Sequence, residues 1–164
     1  MLEKFDALKK LASWEIRAFK NNGEIAERRE QYNYIYCDGT RYYATNGAVA
    51  ISVPVHCGQN VPIGHYEISG KKKEKEIRHL NFNRAFVFEG SHLVTRDKWL
   101  EDDNSVWFED FPENTRFKLE FCCFCKDFVG EDAEIYLNSK EGVLLFRGKR
   151  GEMAAIRYYY IEEP

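Results

Sequence analysis

Cys122-x-x-Cys125 has the spacing of half a zinc knuckle. A structural zinc needs four thiolate or imidazole ligands, and no second Cys/His pair of suitable spacing accompanies it. His56-Cys57 could join it only through an unusual geometry. Without that second pair, the spacing suits buried cysteines on a short helix packed into the core. As a nucleophile–base pair, His56 and Cys57 fail as well, because neighbours at a strand end point to opposite faces. Gly70-Lys71-Lys72-Lys73 and Gly148-Lys149-Arg150-Gly151 lack the glycine spacing and the Ser/Thr of a phosphate-binding loop. Glu101, Asp102, Asp103, Glu109 and Asp110 could hold a divalent cation, yet they lack calcium-loop spacing and have turn character. No metal and no cofactor is expected, and an enzyme is the weaker class.

Basic residues carry the remaining chemistry. Lys4, Lys9, Lys10, Arg17 and Lys20 lie on or near a first helix, and Lys71, Lys72, Lys73, Lys75 and Arg78 form the densest run. Lys and Arg presented at a phosphate backbone give weak, salt-sensitive, sequence-independent binding. The same residues also suit a polar helix face and a solvated loop. Tyr32, Tyr34 and Tyr36 could stack on single-stranded bases, but their alternation fits half-buried residues on one sheet face better.

The elements that must position these residues read as follows. Leu2, Phe5, Leu8, Leu11 and Ala12 recur at helical spacing and predict an amphipathic helix over about 2–13. From Gln31 alternation takes over. Asp38-Gly39 and Asn46-Gly47 predict two tight hairpins joining three strands, the second over 41–45 and the third over 48–55. A strand is expected at 65–69, then a polar run over Lys71–Glu76 that is a helix start or an exposed loop. A hairpin is expected over 84–89 and 92–96, and an acidic loop over 101–104. A strand over 116–121 leads into a short buried helix over 122–128. Strands over 134–137, 143–147 and 154–161 close the chain as a second meander. The order is helix, meander, insertion, short helix, meander, in one β-rich α+β domain spanning 1–164.

Composition narrows the class. The 164 residues are 44% hydrophobic and 31% charged, which excludes a disordered tail. Aromatic content of 15% is high, and a net charge of −3 argues against non-specific coating of DNA while permitting a local basic patch. The charged N-terminal segment lacks the apolar core of a signal peptide, no stretch is apolar enough for a membrane span, and five cysteines are an odd number. A cytoplasmic protein with reduced thiols and no membrane partner is expected.

The run from Tyr34 to Pro54, with Ala44-Thr45-Asn46-Gly47 at its turn, resembles a domain of the bacterial DNA sliding clamp, the β subunit of DNA polymerase III. Phe111-Pro112 followed by strand, helix and closing strands extends the resemblance, and residues 70–110 match least. It implies two meanders with two short helices on one side, the helices facing duplex DNA without reading bases. Lys4, Lys9, Lys10 and Lys126 would then lie on that face. Clamp subunits carry two or three such domains, whereas this chain has room for one to one and a half. No residue of Tyr160–Pro164 matches the clamp tail that helps form the pocket for partner peptides.

The expectation is a non-enzymatic, clamp-like protein of a bacterium, phage or mobile element. It would support DNA replication or repair as a homo-oligomer or by docking to a polymerase or clamp. The alternative is a small β-rich interaction module, an inhibitor or adaptor, without DNA contact. A metal-dependent nuclease using Asp102, Asp103 and Glu109 is a third class.

Overall fold

Helix α1 runs from Leu2 to Phe19 in the computed structural model, which describes residues 2–19, 30–74, 77, 80–95, 98–109 and 115–160. Leu8, Leu11 and Ala12 are fully buried, as the i, i+3, i+4 spacing requires. The helix continues past the expected end at residue 13 because neither Gly nor Pro intervenes before Asn21-Asn22-Gly23, a break signal outside the described residues.

The chain divides into two compact units, Met1–Phe82 and Asn83–Pro164. In the first, β1 (Ile35–Cys37), β2 (Arg41–Thr45) and β3 (Val49–Pro54) form the expected meander, and β4 (Gly64–Tyr66) pairs with β1. The order within this unit is β4-β1-β2-β3, antiparallel throughout. Helix α1 packs on β1, β2 and β3, with the Phe5 ring edge-on to Tyr42 at 5.4 Å. The expected tyrosine strand is cut short: residues Glu30–Asn33 form a 3-10 turn, so of Tyr32, Tyr34 and Tyr36 only Tyr36 lies in β1.

Both hairpins are tight, but their centres lie one residue later than the Asx-Gly pairs suggest. Asp38 N–H donates to Arg41 O and Asn46 N–H to Val49 O, which makes Gly39-Thr40 and Gly47-Ala48 the central residues. Positive φ is confined to Gly39 (97°) and Gly47 (94°). The preceding side chain supplies the rest. Asp38 Oδ1 accepts from the Thr40 and Arg41 amides, and Asn46 Oδ1 from those of Ala48 and Val49.

The second unit holds two sheets. β9 (Glu134–Asn138), β10 (Val143–Arg147) and β11 (Met153–Arg157) form the second meander, with β5 (His92–Leu93) added outside β9. The other sheet has the order β12 (Tyr159–Tyr160), β8 (Thr115–Lys118), β7 (Ser105–Phe108), β6 (Trp99–Glu101). Helix α2 (Leu119–Val129) packs against β10 and β11 and against β7 and β8, burying Cys122, Cys125, Phe128 and Val129. The fold is α+β, with two α-helices and mostly antiparallel sheets among the described residues.

Two expectations fail here and one is refined. Residues 84–89 form no strand. Ala85, Phe86 and Phe88 are apolar because they pack against Val143, Leu145 and Ala155, covering one face of the second meander. The acidic loop over 101–104 is a hairpin turn between β6 and β7, which the run of carboxylates concealed. The last strand is two: the chain leaves β11 at Arg157 and pairs with β8 from Tyr159.

Candidate functional site

Lys71, Lys72 and Lys73 lie neither on a helix nor in a free loop. Lys72 forms an antiparallel bridge with Tyr66, Glu67 N–H donates to Lys71 O, and Lys73 N–H donates to His65 O. Because β4 already pairs with β1, this segment must lie along the opposite edge of β4. It forms the outer rim of the first unit. Lys71 and Lys72 are exposed; Lys73 is half-buried, 3.7 Å from Glu67 and 5.8 Å over the Tyr34 ring. Lys75 and Arg78 lie outside the described residues.

Behind the rim is an aromatic cluster that the sequence did not reveal as a cluster. The Tyr36 and Tyr43 rings stack on Phe82 at 6.1 and 4.8 Å, and His65 lies 5.0 Å from Tyr36. Cross-strand pairing of Tyr36 with Tyr43 brings them together. Tyr43 also donates its hydroxyl to Asp38. Burial pushes the Asp38 carboxyl up. The Thr40 and Arg41 amides with the Thr40 and Tyr43 hydroxyls outweigh it and hold the group below the usual range.

On α1, Lys10 is exposed, while Lys4 and Lys9 are half-buried, Lys9 with its ammonium 5.3 Å over the Phe5 ring. Lys126, on α2 in the second unit, lies 5.1 Å over the Trp99 ring. It shares the exposed surface of α2 with Glu120, Cys123 and Asp127, so that helix offers mixed charge rather than a basic face.

Of the acidic candidates, Glu101, Asp103 and Glu109 are exposed and Asp110 lies outside the described residues. Asp102 accepts from the Asn104 and Ser105 amides and from the Ser105 hydroxyl, and these bonds hold its carboxyl below the usual range. No group of three or more metal-ligating side chains occurs among the described residues. Cys122 and Cys125 are buried in the core as the spacing suggested, and burial pushes both thiols far up. His56 and Cys57 are exposed in a turn beyond β3, where Gln59 N–H donates to His56 O.

Two grooves of the second unit went unread in the sequence. One, of about 840 Å³, is lined by Arg84, Glu141, Gly142, Arg157 and Tyr158 among others. The other, of about 570 Å³, lies among β5, β6, β9 and the C-terminal end of α2. Each is assembled from residues too far apart in the chain to leave a local pattern. No helix among the described residues is long and apolar enough to cross a membrane. In comparisons with protein-family models, curated proteins and solved structures, nothing matches the chain.

Proposed function

We propose that the chain is a non-enzymatic, clamp-like protein that supports DNA replication or repair by assembling with itself or by docking to a polymerase or clamp. The observation that carries this proposal is the repeated build of the two units. In each, a helix packs on an antiparallel meander of three consecutive strands. Phosphate contact is assigned to α1 and the Lys71–Lys73 rim, because Glu120 and Asp127 offset Lys126 on α2. A net charge of −3 with the densest lysine run on the first unit suits loose, sliding contact better than tight coating.

Electrophoretic shifts on circular and linear duplex at low salt, paired with light scattering, test it. Binding that depends on DNA topology is expected. In the Lys71→Ala/Lys72→Ala/Lys73→Ala variant the salt slope should fall by about 2.7 if all three lysines touch phosphate. A strict monomer with no affinity for duplex at low salt overturns the self-assembling form of the proposal. The second reading, a β-rich interaction module without DNA contact, is favoured by the acidic groove beside β5. It predicts that the same triple variant changes nothing.

A further inference from the structure

Sheet edges are where a folded chain can accept another strand, and this molecule treats two of its edges differently. Outside β4 the edge is covered by its own chain, the Lys71–Lys73 segment. Outside β5 no strand follows among the described residues, and Leu93 is 57% exposed. Val94 N–H donates to Ile135 O, 2.8 Å away. By the alternation of an antiparallel ladder, the Leu93 N–H and C=O therefore point away from β9.

The 570 Å³ groove opens alongside this edge. Val94, Trp99, Ile135 and Phe146 give it apolar walls, and Trp99 Nε1 is buried with no hydrogen-bond partner among the described residues. Its charge is one-sided: Glu101, Asp127, Glu131 and Glu134 line it against the single ammonium of Lys126. A bound segment that exposed its backbone to the edge would satisfy both Leu93 groups. Apolar side chains on the groove-facing positions would fill the walls, and a lysine or arginine two residues along, on the same face, would meet the carboxylates.

We infer that the β5 edge and its groove form a docking site for an extended, basic peptide segment of a partner protein, added as a strand beside β5. This goes beyond the clamp-like proposal and holds whether or not the chain touches DNA. The probe is a labelled eight-residue peptide with threonine at every second position and valine and lysine taking turns at the others, so that both share one face, with a control that carries glutamate for lysine, titrated into the full chain by fluorescence anisotropy. The lysine peptide should bind and weaken as salt rises, and the glutamate peptide should not bind.

Two variants then separate the parts of the site. Glu101→Gln with Asp127→Asn changes exposed residues only and should weaken binding about tenfold at low salt. Leu93→Pro removes the outward N–H but leaves the ladder to β9, and should weaken it further. Binding should also shift one indole N–H resonance in a ¹⁵N-labelled sample, and Trp99→Phe should abolish that signal. No binding of the lysine peptide overturns the proposal. So does equal binding of both peptides, or indifference to the carboxylate variant. Loss of DNA binding in the Lys71–Lys73 variant with peptide binding intact would separate this site from the clamp-like function.

Discussion

The two units use one plan with different degrees of enclosure. In the first, α1 lies on a single meander and buries Leu8, Leu11 and Ala12. In the second, α2 packs against strands of two sheets and buries Cys122, Cys125, Phe128 and Val129. The composition of each helix follows. Helix α1 needs one apolar stripe and spends its other positions on charge, whereas LEFCCFCKDFV is apolar over most of its surface. The contrast teaches that a helix clasped from two directions has little surface left with which to bind, so binding chemistry in that unit moves to grooves and edges.

Core truncations probe that contrast most strongly. Phe117→Ala, in β8 beneath α2, should cost about 3–5 kcal/mol in urea denaturation, and Leu11→Ala on α1 about 2–5 kcal/mol. A much smaller loss for Phe117→Ala would break the idea that α2 is held from both sides. Next is Gly142→Ala, which tests the strand switch that only the second unit has. Gly142 has φ of 68°, and a methyl there would run into the Tyr158 ring, the residue at which the chain changes sheets. A loss of about 1–3 kcal/mol is expected.

Smaller effects test what the units share. Asn46→Ala removes the acceptor for the buried Val49 amide and should cost about 1–2 kcal/mol by thermal melting. Asp38 and Asp102 do equivalent work, one in each unit, and both titrate below their unfolded values. Their stabilisation is complete above the unfolded carboxyl pKa of about 3.9 and is lost as pH falls through the lower folded values. Replacing both by Asn should flatten the stability profile below about pH 4. A profile unchanged from the parent chain would show that these turns depend on geometry rather than charge.

The two meanders were legible because their determinants are local: an Asx acceptor, a glycine and alternating residues within a few positions. The β6–β7 hairpin was not, since Asp102 and its neighbours read as a solvated acidic run although its carboxylate accepts two turn amides just as that of Asp38 does. Residues 84–89 misled for the opposite reason. Their apolar alternation answers to Val143, Leu145 and Ala155, which no local window contains. Of the candidate site, the lysine run was visible by residue type, but its place along β4 depends on Tyr66 and His65. The groove beside β5 draws on five separate elements and left no mark beyond an isolated tryptophan in a charged stretch.

Asn138 gives this long-range dependence a temporal meaning. Its Nδ2 donates to Val87 O and Glu89 O, and its Oδ1 accepts from Glu141 N–H. Among the described residues the only strand partner of β5 is β9, which ends at the same residue. During synthesis, therefore, the stretch from Asn83 to Val94 leaves the ribosome some fifty residues before anything that can hold it. A protease or a chaperone acting on the nascent chain meets this stretch first as an open tether. Release of Asn138 from the exit tunnel supplies its first anchor, and Val143, Leu145 and Ala155 cover its phenylalanines only later.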